Sequence, residues 1–112
     1  MRRDDRAKES IPVDALATRV PALLEQVQAA LLESARRFRE ENTSHATTLA
    51  EIEAHFASKR GFVAVPWDGS ADFEAQVKER TGATMRCVPL DQSPYAGRTR
   101  GGQPIALFAR AY

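Results

Sequence analysis

Residues 61–90 read GFVAVPWDGSADFEAQVKERTGATMRCVPL, and this stretch decides the fold. Two apolar runs, 62–67 and 83–90, flank a segment that starts at Ser70 and stops at Gly82. Both runs suit a buried pleated surface, and a helix of about a dozen residues can carry a chain back to begin a parallel neighbour. The stretch predicts a strand, a helix and a second strand, on which the other segments pack.

Working upstream, Thr48 and Glu51 have capping-box spacing, and Leu49, Ile52 and Phe56 line one helical face. A helix over 49–59, stopped by Gly61, follows. Before it, Asn42, Thr43 and Ser44 compete for backbone hydrogen bonds and end a longer helix. That longer helix starts after Asp14, an N-cap residue, and its apolar positions Leu16, Val20, Leu23, Leu24, Val27, Leu31, Ala35 and Phe38 recur at helical period. Pro21 lacks an N–H, which predicts either a kink or a short first helix with Pro21 opening the next. Residues 1–10 are polar and aperiodic, as in a frayed end, and Ile11-Pro12 marks a boundary.

Working downstream, residues 91–103 read DQSPYAGRTRGGQ, rich in turn formers, which predicts a long mobile loop. Ile105, Leu107 and Ala109 then alternate with Ala106, Phe108 and Arg110, the period of a strand over 105–110.

The chain has 112 residues, 43% of them hydrophobic, which suits one packed domain or a piece of a larger protein. Lys and Arg number 16 against 15 Asp and Glu, so a net charge of +1 provides no whole-chain field toward nucleic acid or anionic lipid. A local basic patch remains open. The single cysteine, Cys87, excludes an internal disulfide and a multi-cysteine zinc site, in keeping with a reducing compartment. No apolar run approaches the roughly 18 residues of a membrane span, and no secretory segment follows the N-terminal charges. A soluble, cytoplasmic protein without membrane partners is the expectation.

The candidates for chemistry each have a plainer reading. Cys87 sits in an expected central strand with no base nearby in sequence, so a small core residue is the expectation over a catalytic thiol. His45 and His55 lack the i, i+4 spacing of a helical metal pair and read as surface residues. Asp68, Asp72 and Glu74 could suggest a carboxylate metal site, but helix capping and the helix dipole account for acids there. Trp67 reads as a packing residue where its strand turns. Arg98 and Arg100 in the loop, with Arg86 and Arg110 on adjoining strands, could form a small basic face for RNA or phosphate, against a solvated loop. Residues 97–102 match neither a P-loop nor a dinucleotide fingerprint.

Several of these segments also occur together, in order and at matching spacing, in a known family. Val65-Pro66-Trp67-Asp68-Gly69 followed by Phe73-Glu74-Ala75-Gln76-Val77-Lys78 resembles a strand, then W-C-G, then C-E-x-x-I-K. Thr81-Gly82-Ala83-Thr84-Met85-Arg86-Cys87-Val88-Pro89 is similar to T-x-A-T-x-R-C-I-P, and Phe108-Ala109-Arg110-Ala111-Tyr112 to F-A-K-A-Y. The long helix running into Glu40-Glu41-Asn42-Thr43 fits the same pattern, and Met1-Arg2-Arg3-Asp4 is similar to R-R-D at the last strand of a preceding anticodon-binding domain. The pattern is that of the C-terminal domain of archaeal/eukaryotic-type prolyl-tRNA synthetases, and the resemblance covers essentially the whole chain.

The resemblance implies an α+β two-layer sandwich, like the C-terminal domain of translation initiation factor three. Helices lie on one face of a small mixed sheet with strands 62–67, 83–89 and 105–110. Residues 1–12 would end the anticodon-binding domain or form a linker, and 13–112 would be the C-terminal domain. It further implies a parent ligase that joins proline to tRNA(Pro) with ATP and Mg2+, acting as a homodimer. This chain's partners would be the parent's catalytic and anticodon-binding domains. No catalytic residue falls in this chain, and Tyr112 would direct its terminal carboxylate toward the catalytic domain. Many family members hold structural zinc with four cysteines. The matching positions here are Asp68, Phe73, Arg98 and Gly101, and phenylalanine, arginine and glycine side chains cannot ligate zinc. A zinc-free domain is the expectation, with Phe73 packing where the metal would act and Cys87 matching a non-ligand cysteine. The other reading is a free-standing RNA-binding or regulatory module using Arg86, Arg98, Arg100 and Arg110.

Overall fold

Val63 and Val65 alternate with Ala64, and all three are buried, which requires cover on both faces of their strand. The computed structural model, which describes residues 1–111, shows how both faces are covered. It divides into two units, residues 1–40 and the remainder from Glu41.

The first unit is dominated by helix α1, Leu16–Glu41, entered through a 3-10 turn over Val13–Ala15. Pro21 lies inside α1 and the helix runs on through it, so of the two alternatives at Pro21 the one with a separate second helix is not the one found. Near the N-terminus the missing N–H removes only an early ladder bond, to the Ala17 carbonyl. None of the residues of α1 is buried, and Leu24, Leu31 and Phe38 are exposed. In residues 1–10, read from sequence as a frayed end, the Arg2 guanidinium pairs with Asp4 at 2.6 Å and reaches Gln26 Oε1 at 3.4 Å. Arg19 grips Glu9 with two hydrogen bonds, 2.9 and 2.7 Å long.

The second unit holds helices α2, Leu49–Ser58, and α3, Ala71–Thr81, with strands β1, Thr43–His45, β2, Phe62–Pro66, β3, Thr84–Cys87, and β4, Ile105–Ala109. The strand order is β1-β2-β4-β3, with β1 parallel to β2 and β4 antiparallel to both β2 and β3. Ile52 and Phe56 of α2 and Val77 of α3 meet Val63, Val65, Ala106 and Phe108 in the main core. This is the expected α+β arrangement, with these helices on one face of a small mixed sheet. Full burial of a large apolar side chain such as Ile52 or Phe108 contributes about 1.5–3 kcal/mol.

The opposite face of the sheet explains the burial of Ala64 and Ile105. From the stretch 91–103, read from sequence as a long mobile loop, residues 97–100 lie over Ala64 and Ile105. Gln92 fixes the start of that stretch: its side-chain oxygen accepts from the Ile105 N–H at 2.8 Å, and its amide donates to Pro89 O at 2.7 Å and Ile105 O at 3.2 Å. A 3-10 turn over Ser93–Tyr95 then brings the Tyr95 ring edge-on to His45, with centroids 6.1 Å apart.

Three expectations change here. Residues 43–45, expected only to break a helix, form β1, pairing Thr43 with Phe62 and His45 with Ala64. The stretch 61–90 does give a strand, a helix and a strand, but β4 lies between β2 and β3, so they share a direction without being neighbours. The adjacent parallel pair is β1 and β2, joined through α2. Finally, Cys87 is exposed and β3 is an edge strand, contrary to a core cysteine in a central strand. The physical cause is a register shift between Met85 and Cys87. Met85 packs on the core. Uninterrupted alternation would put Cys87 on that face too, but the extra residue, Arg86, reverses it.

Candidate functional site

The end of β2 and the start of α3 form a tight corner. Ser70 caps α3, its hydroxyl accepting from the Phe73 N–H at 3.2 Å, and Asp68 Oδ1 accepts from the Ser70 N–H at 2.8 Å. Trp67 Nε1 donates to Ser70 O at 3.2 Å while its ring packs on the core, the packing role expected of it. The Trp67 N–H reaches Pro104 O at 2.9 Å, tying this corner to the entrance of β4. Asp72 and Glu74 occupy the first turn of α3, where the helix dipole favours them.

The four positions that the resemblance matches to zinc-ligating cysteines, Asp68, Phe73, Arg98 and Gly101, do not share one pocket. Asp68 and Gly101 line a shallow cleft with Trp67, Arg98 lines a different cavity, and Phe73 packs against the core. The Phe73 ring stands edge-on to Phe108, with centroids 6.2 Å apart at 89°. Among the described residues no group of three or more His, Cys, Asp or Glu could hold a metal ion. The donor set does not fit tetrahedral zinc.

The four arginines do not form one face. Arg86 Nη2 donates to Ala109 O at 3.3 Å, and Arg110 Nε donates to Thr81 O at 2.5 Å with its guanidinium 5.5 Å from the Phe56 ring centroid. Both therefore brace the end of the sheet where β4 finishes. Arg98 and Arg100 lie at the other end, where β1 and β2 finish, around a cavity shared with His45, Thr47, Ala64 and Ile105.

Glu51 borders this cavity through the start of α2. Its Oε2 accepts from the Thr47 N–H at 2.7 Å, the Thr47 hydroxyl at 3.0 Å and the Thr48 N–H at 3.3 Å, while the Glu51 N–H donates to Thr48 Oγ1 at 3.3 Å. This is the expected capping box. The bonds from Thr47 hold the Glu51 carboxyl below its ordinary value, with a smaller contribution from Arg100. Burial lowers the His45 pKa, and the charge of Arg98 lowers it further.

His55 is less of a surface residue than expected. It is half-buried, its ring edge-on to Phe56, and burial is the main cause of its lowered pKa. Its Nε2 is buried without a hydrogen-bond partner among the described residues. Tyr112, the expected interdomain residue, lies outside the described residues. No helix among the described residues is long and apolar enough to cross a membrane.

A four-stranded mixed sheet backed by two helices, with a braced corner and a small basic cavity, defines the class: an α+β two-layer domain. Comparison with known proteins makes this specific. Residues 49–112 match the family described as "Prolyl-tRNA synthetase, C-terminal". The chain is 40% identical over its full length to the proline--tRNA ligase of Rubrobacter xylanophilus, covering 24% of that protein. It is 41% identical over 86% of its length to proline--tRNA ligase 2 of Bacillus cereus, covering 20% of that protein. The crystal structure of prolyl-tRNA synthetase from Cryptosporidium parvum complexed with L-proline and AMP superposes with a TM-score of 0.82 at 26% identity. That match takes in 98% of this chain and 24% of the other. The chain belongs to the prolyl-tRNA synthetase C-terminal domain family and spans about a quarter of the length of the full-length relatives.

Proposed function

We propose that this chain serves as the C-terminal domain of a cytoplasmic, homodimeric prolyl-tRNA synthetase that joins proline to tRNA(Pro) with ATP and Mg2+. Its contribution is architectural. The observation that carries this reading is the 40% identity over the full length of the chain to a proline--tRNA ligase about four times as long. Its partners are the catalytic and anticodon-binding domains of the parent, with residues 1–12 leading in from the latter. Tyr112 directs its terminal carboxylate toward the catalytic domain, where it accepts hydrogen bonds without taking part in the chemistry. The domain works without zinc, its corner held by the Phe73 ring and the Ser70 cap.

The test is aminoacylation of tRNA(Pro) by the full-length enzyme with and without Tyr112. Deletion is expected to lower activity while the isolated chain keeps its far-ultraviolet circular dichroism. Unchanged activity would remove the role given to Tyr112. Proline-dependent pyrophosphate exchange by the isolated chain would overturn the architectural reading, and stoichiometric zinc in the purified protein would overturn the zinc-free one.

A further inference from the structure

The cavity at the finishing ends of β1 and β2 measures about 270 Å³ and is roofed by residues 97–100. One water occupies about 30 Å³ of liquid, so the space admits a tetrahedral oxyanion together with several waters. Its place in the fold suits an anion. It lies off the carboxyl ends of a parallel strand pair and at the start of the helix joining them, the position where α/β units hold ligands. Just ahead of this helix the Thr47 and Thr48 N–H groups donate to Glu51, and the Glu51 N–H donates to Thr48. The side chains that the cavity supplies for binding are His45, Arg98 and Arg100.

These cations are incompletely balanced. No carboxylate among the described residues lies within ion-pairing distance of Arg98 or Arg100. Glu51, the acid that senses Arg100, is committed to its three donors at the helix start. Arg98 and His45 face one another with like charge whenever the imidazole is protonated. Tyr95 holds the His45 ring by its edge. An anionic phosphate group between these groups offsets their repulsion and accepts guanidinium hydrogen bonds, which are charge-assisted and strong.

We infer that this cavity binds a phosphate group, held by Arg98 and Arg100 and completed by a hydrogen bond from protonated His45. The groups that share the cavity with His45 are Arg98 and Arg100 from the roof and Thr47 from the start of α2, with the Tyr95 ring against the imidazole and the Glu51 carboxylate bonded to Thr47. The bound anion raises the His45 pKa toward and beyond its ordinary value, so binding tightens as the pH falls through the His45 midpoint. The phosphate can be free or part of an RNA backbone, and the inference stands apart from the synthetase reading.

The test follows the imidazole signals of the chain's two histidines by NMR, with His55 as the internal reference. Inorganic phosphate is expected to raise the His45 midpoint saturably and to leave that of His55 in place. Sulfate, whose charge is constant over this range, should bind more tightly at lower pH. Arg98→Ala and Arg100→Ala should each weaken binding about tenfold, equivalent to about 1.4 kcal/mol, and Arg98→Lys should restore part of it. A short oligouridylate acting at about a tenth of the phosphate concentration or less would assign the site to RNA, a loss of about 1.4 kcal/mol or more separating the two ligands. An oligouridylate no better than phosphate would assign it to free phosphate. A His45 response matched by sodium chloride at equal ionic strength, or unchanged in Arg98→Ala, would overturn the inference.

Discussion

A Cβ added to Gly61 would overlap the main-chain oxygen of Asn42, the residue that precedes strand β1. The same oxygen accepts from the Phe62 N–H at 2.8 Å, and Gly61 has a φ of +98°. Gly61→Ala therefore meets a steric clash and a left-handed backbone at once, on the junction that pairs β1 with β2. Urea denaturation should show a loss of about 3 kcal/mol, within the range for core overpacking combined with backbone strain. Gly82→Ala, also left-handed but facing open space, should lose about 1 kcal/mol. Equal losses at the two sites would refute the close-approach argument.

Phe73 and Phe108 make the edge-to-face contact of the corner. Phe73→Ala should cost about 2–3 kcal/mol, below the usual range for a fully buried phenylalanine because Phe73 is half-buried. Phe73→Leu should cost about 1 kcal/mol, keeping most of the apolar volume. Thermal unfolding of both variants checks this, and added chelator should leave the wild-type midpoint where it is.

Glu51 makes stability depend on pH in a stated direction. Its folded-state pKa lies below the ordinary 4.5, so its contribution is complete above that value and is lost as the pH falls through the folded-state one. Glu51→Gln should flatten the acid limb of a stability-versus-pH curve. At neutral pH, Thr48→Ala, which removes the reciprocal cap, should cost about 1 kcal/mol. An acid limb identical in wild type and Glu51→Gln would show that another carboxylate is responsible.

Cys87 faces solvent on an edge strand, so a thiol reagent such as Ellman's should label the native protein as completely as the unfolded one, without waiting for unfolding. Labelling that proceeds only at the unfolding rate would place the thiol in the core.

The elements carried by periodicity and end signals were readable before the fold was known. Thr48 with Glu51 announced the start of α2, and Ser70 and Gly82 bounded α3, because a cap depends only on residues a turn apart. Strand β1 was hidden because Thr43, Ser44 and His45 are polar, and their pairing depends on β2, whose sequence says nothing of them. The exposure of Cys87 was hidden for a related reason. A bulge is a mismatch between two strands, and alternation read along one strand cannot register it. In the basic cavity, Arg98 and Arg100 were visible as loop cations. Their separation from Arg86 and Arg110, and their meeting with His45, follow from the strand order. The only local sign of the meeting was Thr47, just ahead of a capped helix.

Strand β4 lies between β2 and β3, which do not pair with each other. Its register joins Val63 to Phe108 across the length of α3, β3 and the folded-back loop. The order of assembly on the ribosome follows. A nascent chain halted before Ile105 can pair β1 with β2 through the local α2 connection, but β3 has no neighbour to join. Sheet completion therefore waits until β4 emerges and enters the gap, and loop closure over that distance sets the pace.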